Sequence, residues 1–428
     1  MKLARSIVAV CAAAGMALGL AGCTGGSTSK PAAASGSASD KIAGEITFQT
    51  WSLKNDKFTP YFEQLISNFE KKYPDVKVKW MDQPGDGYED KLLQQANANE
   101  LPDVVNVPPE YAYQLAKAGQ LRDLKAADAG TLSQYVEGGI KAYEYTGVEG
   151  DFAYPWYLGV AFNYWNTAAL KKGGVTTIPT TEEEYQADAA TAAEHGVALL
   201  NRVPDVGFLA ARGVKVWDEK TQKFTFNSPE AVKIVEQYAK LYQKGAMPPE
   251  IVSAVDNGTP ANEAFYKGSM AAIQSTPSFA TDVVTNAPSV ASSVTVSEPW
   301  ETPQLLVQGI SVAANSKAPA AALAFAQYVT NTENQVDFVK IAKGFMPGTV
   351  EGNKDASQLV EGSDTQLLKD AMAVSAKTVQ NAKLLTPLEL SGQMKTAVVQ
   401  QVSLALSGDK SAKDALDSAV QQCNALLN

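Results

Sequence analysis

Residues 62–80 read FEQLISNFEKKYPDVKVKW, and this stretch combines a helix, a break and a strand. The apolar side chains of its first half recur at helical spacing: Phe62, Leu65, Ile66, Phe69 and Tyr73. Those of its second half alternate with polar residues, as in an extended strand: Val76, Val78 and Trp80. Pro74 separates the two patterns, because proline cannot continue a helix. The stretch therefore predicts a helix that leads directly into a strand.

The same alternation continues on both sides of this stretch. A short β-prone segment at 46–48 precedes it, and a second helical pattern follows at 92–96. Residues 103–107, DVVNV, then have the composition of a buried strand, and the next helix, 110–118, ends at Gly119. This order predicts a βαβαβ unit with a parallel sheet. In such sheets, ligands collect outside the carboxyl ends of the strands.

The remainder of the chain is richer in helices. Helical patterns cover 231–242 and 320–329, and β-prone runs lie at 270–274 and 305–313. Ser228, followed by Pro229, is predicted to cap the start of the first of these helices. The final segment, 349–428, is mostly amphipathic helix. The body of the chain has about 385 residues, which is more than one hydrophobic core usually serves. We therefore expect an α/β protein with two domains.

The N-terminus has the composition of an export signal. Lys2 and Arg5 precede an apolar stretch at 7–20 that is too short to span a bilayer comfortably. The motif LAGC at 20–23 is similar to the lipobox of bacterial lipoproteins. It predicts cleavage before Cys23 and attachment of lipid to the Cys23 thiol. An ordinary secretory peptide, in which Cys23 is incidental, is the alternative.

On this interpretation, residues 1–22 are a signal peptide and residues 23–41 are a flexible linker. The linker is rich in Ser, Gly, Ala and Thr, and such a composition cannot bury a core. Several acyl chains on Cys23 would hold the protein firmly at a membrane. The expected location is the extracellular face of the cell membrane.

Composition excludes several partners. The formal net charge is −10, which becomes −12 once Lys2 and Arg5 leave with the signal peptide. The chain is therefore not expected to bind nucleic acid or an anionic lipid surface. Cys11 leaves with the signal peptide and Cys23 is the lipid site, so no intrachain disulfide is expected. The remaining thiol, Cys423, is predicted to be a small buried residue on the last helix.

The residues available for chemistry are few. His195 is the single histidine, and it lies where the helix that starts near Thr181 should end, beside Gly196. Zinc sites and Ser-His-Asp hydrolysis therefore lack most of their side chains. No Gly-Lys dipeptide occurs, so a phosphate-binding P-loop is absent from the sequence. We expect no cofactor and no metal, although catalysis by paired carboxylates remains open.

The order of motifs over residues 45–425 resembles a known family, the extracellular solute-binding proteins of family 1, the maltose-binding type. The segments that carry this resemblance are FEKKYPDVKV (69–78), LPDVV (101–105), LAKAGQLRDL (115–124), YPWY (154–157), FNYWN (162–166), FNSPEAV (226–232), FYKGSMA (265–271), GISV (309–312), SKAP (316–319) and a closing helix at 397–408. Each segment is weak by itself. Their ordered coverage makes the resemblance specific.

The resemblance implies a type II periplasmic-binding-protein-like fold with two α/β lobes and a hinge cleft. The N-terminal lobe would comprise 42–157 and 309–345, and the C-terminal lobe 158–308 and 346–428. The implied function is delivery of a carbohydrate, expected to be an oligosaccharide, to the permease subunits of an ATP-binding-cassette (ABC) importer. The protein would be a lipid-anchored monomer and not an enzyme, and the ATPase would be a separate chain.

A sugar site requires flat aromatic rings for the C–H face of the ring, and carboxylates or amides for its hydroxyls. The chain offers such residues after the predicted strands, at the predicted lobe crossings and at positions that match the family's ligand contacts. The candidates are Trp51, Gln83, Glu110, Tyr111, Trp156, Tyr157, Ser278, Phe279, Trp300, Phe345, Met346 and Glu389.

Alternatives remain for several of these residues. Trp51 could pack between helices, and Trp300 could lie in a capped surface turn. Of the pair Trp156 and Tyr157, one is expected to touch ligand and the other to pack. The family often presents a stacking tryptophan where this chain reads TPSF at 276–279, so maltose specificity does not transfer directly. Trp300 is a possible replacement.

Two other functions remain open at this point. The first is a lipid-anchored glycoside hydrolase that uses two carboxylates. The second is a binding protein for another solute, such as a peptide, a polyamine or a metal chelate. The supply of aromatic residues favours sugar over these solutes.

Overall fold

The computed structural model describes residues 41–253, 259–361 and 365–427. The predicted signal peptide, the lipid site Cys23 and all of the predicted linker except Lys41 lie outside the described residues. Within these ranges, no helix is both long enough and apolar enough to cross a membrane.

The chain forms strands throughout its length. They are β1 (Gly44–Trp51), β2 (Val76–Gln83), β3 (Val104–Val107), β4 (Glu144–Tyr145), β5 (Val148–Asp151), β6 (Tyr154–Val160), β7 (Phe162–Asn166), β8 (Trp217–Asp218), β9 (Lys223–Phe224), β10 (Ala272–Ser275), β11 (Val294–Ser297), β12 (Leu305–Val312) and β13 (Met346–Pro347).

Helices surround these strands. They are α1 (Thr59–Lys72), α2 (Tyr88–Asn97), α3 (Pro109–Lys117), α4 (Leu124–Leu132), α5 (Glu137–Lys141), α6 (Thr167–Lys172), α7 (Glu182–Glu194), α8 (Val206–Ala211), α9 (Pro229–Gln243), α10 (Pro249–Ser253), α11 (Thr259–Tyr266), α12 (Ser278–Asn286), α13 (Pro288–Ala291), α14 (Pro319–Val329), α15 (Thr332–Ile341), α16 (Gln366–Thr378), α17 (Gly392–Ser407) and α18 (Ala412–Ala425). Short 3₁₀ helices lie at Glu351–Asn353, Ala356–Val360 and Val379–Asn381.

The larger sheet has the strand order β13-β6-β12-β3-β1-β2. Strand β1 pairs in parallel with both β2 and β3, which confirms the predicted βαβαβ unit. Strand β12 runs antiparallel to β3 and to β6, and β13 runs antiparallel to β6. Because β12 is antiparallel, it begins at the same edge of the sheet at which β1 and β3 end.

Local sequence explains why the first unit forms. Helix α1 has a proline in its first turn, and it buries Phe62, Leu65 and Phe69 against the sheet. All residues of β3 are buried, as expected for a strand covered on both faces. The Asp103 carboxylate, just before β3, accepts hydrogen bonds from the Thr47 backbone and hydroxyl at 2.8 Å, and from Ser316. This carboxylate ties β1 to the segment after β12.

A smaller antiparallel sheet has the order β10-β7-β11. The chain passes from the larger sheet into the smaller one at Ala161, between β6 and β7, and returns between β11 and β12. Strands β6, β12 and β13 belong to the larger sheet, although the predicted lobe limits fall within or beside them at residues 157, 309 and 345. The assignment of residues to lobes stays a prediction, and these strands favour crossings at Ala161 and within 298–304.

The C-terminal helices α17 and α18 pack on each other and on α9. Cys423 is fully buried in α18, as predicted, and burial raises the pKa of its thiol to about 11. Two predicted helix starts are also confirmed. Thr181 caps α7 and Ser228 caps α9, each through its side-chain oxygen. His195 follows α7, is exposed, and lies 3.1 Å from the Thr191 carbonyl through Nδ1.

Candidate ligand-binding cleft

A cleft of about 360 Å³ lies at the edge of the larger sheet where β1 and β3 end and β12 begins. One wall comes from this sheet, and the other comes from the segment 384–390 and the first turn of α17. The position agrees with the general rule that ligands bind outside the carboxyl ends of parallel strands. We refer to this space as the first compartment.

Trp51 is the last residue of β1 and lines the first compartment. Its ring stacks on Tyr88 with the centroids 5.8 Å apart and an interplanar angle of 21°. The Tyr88 hydroxyl donates to the Asn106 carbonyl at 3.0 Å, so the supporting ring is itself held in place. The Trp51 indole N–H is buried and has no hydrogen-bond partner among the described residues. The Trp51 ring is therefore held in place by Tyr88, and its indole N–H is available to donate a hydrogen bond to a ligand.

Two more aromatic rings lie in the same wall. Tyr157 in β6 and Phe345 before β13 both line the compartment, and their ring centroids are 4.8 Å apart. Phe338 of α15 supports Tyr157 from behind at 5.3 Å. Burial raises the pKa of the Tyr157 hydroxyl well above its ordinary value, so the hydroxyl stays neutral and can both donate and accept.

Each wall of the compartment contributes one charged side chain. Glu110 lies in the first turn of α3, and Lys395 lies in the first turns of α17 on the opposite wall. Lys395 also acts on Glu89 of α2: burial raises the pKa of Glu89, as do the charges of Glu110 and Asp90, while Lys395 opposes this rise. The two walls are therefore close enough for their charges to interact.

Of the twelve predicted ligand residues, all of which the structure describes, four line this compartment: Trp51, Glu110, Tyr157 and Phe345. Three others are half-buried beside it but do not line it. Gln83 donates to Gln49 at 3.3 Å, and the Tyr111 ring is 6.4 Å from Tyr88. Glu389 lies between the lining residues Leu388 and Leu390, and burial raises the pKa of its carboxyl.

Three predicted residues are in the core instead. Trp156 and Met346 have no exposed surface, and Phe279 has 1%. Trp156 packs on Phe338 at 4.5 Å, and Phe279 packs on Tyr164 at 5.1 Å. Trp156 is buried because neighbouring side chains in a strand point to opposite faces of the sheet. Tyr157 faces the cleft, so Trp156 cannot, and we leave these three residues out of the proposed site.

Trp300 and Ser278 also lie away from the first compartment. The Trp300 indole donates to Glu182 Oε2 at 2.8 Å, and its ring packs 5.1 Å from Tyr185. It borders a cavity of about 20 Å³, which is too small for a sugar ring. The Ser278 hydroxyl is 2.9 Å from that of Thr276. Trp300 therefore contacts Glu182 and Tyr185 and does not line the first compartment, and its expected role in ligand stacking stays a prediction.

Sequence reasoning missed most of the wall that β12 supplies. Gln304, Leu306 and Gln308 line the compartment, and Leu306 is 47% exposed there. The β-prone run at 305–313 was predicted, but its orientation in the sheet was not. Lys395 was also missed, since nothing near it in the chain indicates that it lines the same cleft as Glu110.

Of the described residues that line the first compartment, Glu110 alone has a carboxylate, and none is a histidine, a serine or a cysteine. Among the described residues, no group of three or more His, Cys, Asp or Glu side chains is arranged to hold a metal ion. The arrangement of three aromatic rings, a carboxylate, amides and an ammonium group suits reversible binding of a polar molecule that also has an apolar face.

Comparison with known proteins also indicates a binding protein. A relative among well-described proteins is the diacetylchitobiose binding protein DasA of Streptomyces coelicolor, which is 25% identical over 273 residues. That alignment covers 62% of this chain, and the chain spans 62% of the length of DasA.

Solved structures agree in fold. A Synechococcus sp. MITs9220 periplasmic-binding protein, assigned to oligosaccharides, is 28% identical with a TM-score of 0.76, over 89% of this chain and 98% of its own. The cyclic α-maltosyl-1,6-maltose binding protein of Arthrobacter globiformis has a TM-score of 0.72 at 20% identity, over 90% of this chain and 99% of its own. The fold is thus the two-lobe fold of periplasmic-binding proteins, as predicted.

The family model described as bacterial extracellular solute-binding protein matches residues 64–366, which is more than half of the chain. This match includes β3, β6, β12 and β13 of the cleft, but not β1, which carries Trp51, or the wall at 384–395. The chain belongs to the bacterial extracellular solute-binding protein family.

Proposed function

We propose that this protein captures a carbohydrate in the cleft and delivers it to the permease subunits of an ABC importer. The observation that carries the proposal is the set of three aromatic rings in one wall: Trp51, Tyr157 and Phe345. Aromatic rings pack on the C–H face of a sugar, and the nearby Glu110, Gln304 and Gln308 can bond its hydroxyls. The relatives named above bind diacetylchitobiose and cyclic maltosyl-maltose, which supports the sugar class.

Lobe closure is the proposed means of capture. A solute that contacts both walls stabilises the closed form by its difference in affinity for the closed and open forms. Lys395 and Glu110 line opposite walls of the cleft. Charges also act between the segments that carry these walls: burial raises the pKa of Tyr113 in α3, and the charge of Glu389 raises it further. Capture of this kind requires no covalent chemistry, and the named relatives are binding proteins.

Membership of the family implies an extracellular or periplasmic location. Within that location, we assign the protein to the outer face of the cell membrane as a lipid-anchored monomer. The support for the anchor is the LAGC motif at 20–23 and the polar composition of the linker.

The test is a binding screen on the full chain. The sugars are glucose, maltose to maltotetraose, N-acetylglucosamine and N,N′-diacetylchitobiose, each at increasing concentration in thermal unfolding. A sugar at one hundred times its Kd should stabilise the protein by about 2.7 kcal/mol. The bound sugar is then recovered and its length is measured. Intact sugar supports delivery, and shortened sugar supports the glycoside hydrolase.

Small-angle scattering tests closure separately. The radius of gyration should fall when the binding sugar is added. If no sugar shifts the unfolding temperature but a peptide or a polyamine does, the protein is a binding protein for that other class of solute.

A further inference from the structure

Asn106 is a fully buried polar residue in β3. The other three residues of this strand are valines, and a strand covered on both faces favours such apolar side chains. The Asn106 Oδ1 atom has no hydrogen-bond partner among the described residues, and a buried polar atom without a partner costs free energy. Stability alone therefore does not explain an asparagine at this position.

The side-chain amide of Asn106 is oriented by the backbone of β12. Its Nδ2 atom donates to the carbonyl oxygen of Gly309 over 3.3 Å. A carbonyl oxygen only accepts hydrogen bonds, so the group of Asn106 that faces it must be the NH₂ group. The same Nδ2 atom donates to Gln308 Oε1 over 2.9 Å. Asn106 thus fixes which end of the Gln308 amide faces the core.

The other end of the Gln308 amide is directed toward the ligand. Gln308 lines the first compartment, and Tyr157 of β6 lies directly opposite it in the sheet. Directly opposite residues of paired strands point to the same face, so Gln308 and Tyr157 face the compartment together. Because Oε1 is turned to Asn106, the Nε2 end of Gln308 is turned to the compartment. This end can only donate hydrogen bonds.

Gln304, the other amide of this wall, has partners at both ends. Its Nε2 donates to the Leu305 carbonyl at 2.9 Å, and its Oε1 accepts from the backbone N–H of Leu385 at 3.2 Å. Gln308, in contrast, bonds the described part of the chain through Oε1 and not through Nε2. Of the two wall amides, Gln308 is therefore the one whose NH₂ group is left for a ligand.

We propose that Asn106 is a positioning residue for ligand binding. It holds the Gln308 amide with its NH₂ group directed into the cleft, where this group donates to an acceptor oxygen of the sugar that packs on Tyr157. Asn106 has no exposed surface, so it acts through Gln308 and not by contact with the ligand. This inference rests on the proposed carbohydrate function. It adds that the wall recognises an acceptor oxygen at this point, whereas the Glu110 carboxylate can only accept.

Substitutions at Asn106 and Gln308 separate the two roles. Asn106→Leu keeps the size of the side chain but removes its donor and its unpaired oxygen. Gln308→Met keeps the length of the side chain and removes the amide. Gln308→Glu keeps an oxygen for Asn106 but presents an acceptor to the cleft instead of a donor.

Ser311→Ala is the matched control. Ser311 is also fully buried in β12, pairs with β3, and does not line the cleft. Its hydroxyl donates to the Phe152 carbonyl at 2.7 Å. Ser311→Ala should therefore lower the midpoint of urea unfolding and leave Kd unchanged. Asn106→Leu should do the reverse, because removal of a buried unpaired oxygen and burial of an apolar side chain offset the lost hydrogen bonds.

The experiment is isothermal titration of the full chain with maltose, maltotetraose and N,N′-diacetylchitobiose. For the sugar that the wild type binds, Asn106→Leu, Gln308→Met and Gln308→Glu should each raise Kd about five-fold, which corresponds to one hydrogen bond. The double variant Asn106→Leu with Gln308→Met should match Gln308→Met alone within about two-fold, because Asn106 acts through Gln308. A residue that only supported the fold would not show this dependence.

Each contrary result has its own meaning. Losses that add in the double variant overturn the positioning role, and so does a folded Asn106→Leu variant with the Kd of the wild type. If Asn106→Leu does not fold, Asn106→Val takes its place, since valine matches its neighbours in β3. Gln308→Glu binding as tightly as the wild type overturns the assignment of a donor. If the wild type binds none of the sugars, the proposed function itself is contradicted.

Discussion

The Trp300 indole donates its N–H to Glu182 Oε2 over 2.8 Å, although 118 residues separate the two positions. The same carboxylate accepts from Arg212 at 2.7 Å, from Tyr238 at 3.1 Å and from Gln186 at 2.9 Å. Glu182 therefore joins the start of α7 to α9 and to the segment before β12. Both the expected role of Trp300 and the pH dependence of stability follow from this network.

Trp300→Phe should lower stability and leave sugar affinity nearly unchanged. The substitution keeps an aromatic ring but removes a donor to a buried carboxylate, which should cost about 1–3 kcal/mol. Urea unfolding measures the loss. Trp217→Phe is the control, because Trp217 packs on Phe224 at 4.9 Å in a separate hairpin. Unchanged stability with a large loss of affinity would return Trp300 to the ligand site.

Glu182→Gln should lower stability at pH 7 by about 3 kcal/mol, because it leaves the buried Arg212 without its anion. The variant should also depend less on pH. Burial raises the pKa of Glu182, but the charge of Arg212 and several hydrogen bonds outweigh it, so the folded-state pKa is below the ordinary value. The unfolded state then binds a proton more readily, and the wild type loses this stability as pH falls from about 4.5 through the folded pKa.

Urea unfolding between pH 7 and pH 3 measures the effect of Glu182→Gln. The matched control is Glu183→Gln, since Glu183 is exposed at the next position of α7. Equal pH profiles for the wild type and Glu182→Gln would show that this carboxylate does not carry the dependence.

Trp51→Ala and Tyr157→Ala should each weaken sugar binding without unfolding the protein. Loss of one well-packed aromatic contact is about 1.5–3 kcal/mol, or roughly ten- to hundred-fold in Kd. Titration calorimetry with the sugar found in the screen measures the change. Trp217→Ala, far along the chain and outside the cleft lining, should leave Kd unchanged. If Kd stays the same in both cleft variants, the aromatic wall is not the sugar site.

Gly309→Ala should destabilise the larger sheet. A Cβ at Gly309 in β12 would lie 2.6 Å from the Tyr143 ring and 2.8 Å from Ala153 Cβ. The Tyr143 hydroxyl donates to the Val107 carbonyl at 2.8 Å, so the ring cannot easily move away. We expect a loss of about 1–3 kcal/mol in unfolding experiments. Gly392→Ala is the control and should change stability little, because no atom lies within 4 Å of a Cβ added at Gly392. A stable Gly309→Ala variant would mean that Tyr143 is free to shift.

Cys23→Ala should abolish lipid attachment and retention at the membrane. The thiol is the acceptor in the predicted lipobox, and the substitution removes it. Detergent partitioning of cell extracts measures the effect, with Cys423→Ala as the control, because that thiol is buried in α18. Equal partitioning of the Cys23→Ala variant and the wild type would favour the ordinary secretory peptide.

Local patterns were sufficient for much of the fold. The apolar spacing at 62–80 and the run at 103–107 predicted α1, β2 and β3, and the capping residues Thr181 and Ser228 marked two helix starts. These features depend on residues a few positions apart, which sequence alone displays. The family resemblance added the two-lobe fold, since its motifs recur in order along the chain.

The candidate site could be predicted in part. Trp51 and Glu110 follow strands β1 and β3, so the rule for parallel sheets placed them at the cleft. The sequence could not show whether Tyr157 or Trp156 faces the ligand. Strand alternation places the two side chains on opposite faces of the sheet, but it does not show which face borders the cleft. The start of β12 could not be identified as a wall, since its antiparallel pairing with β3 joins residues about two hundred positions apart.

The amino-acid sequence by itself indicated the order of strands and helices in the βαβαβ unit, two helix caps and the export motif, because each depends on neighbours within a turn or a strand. The tertiary structure alone decided that Trp300 bonds Glu182 rather than facing the cleft, and that Lys395 lies opposite Glu110. Contacts of this kind depend on how distant elements pack, and they arise where the sheets and helices meet rather than from any local pattern.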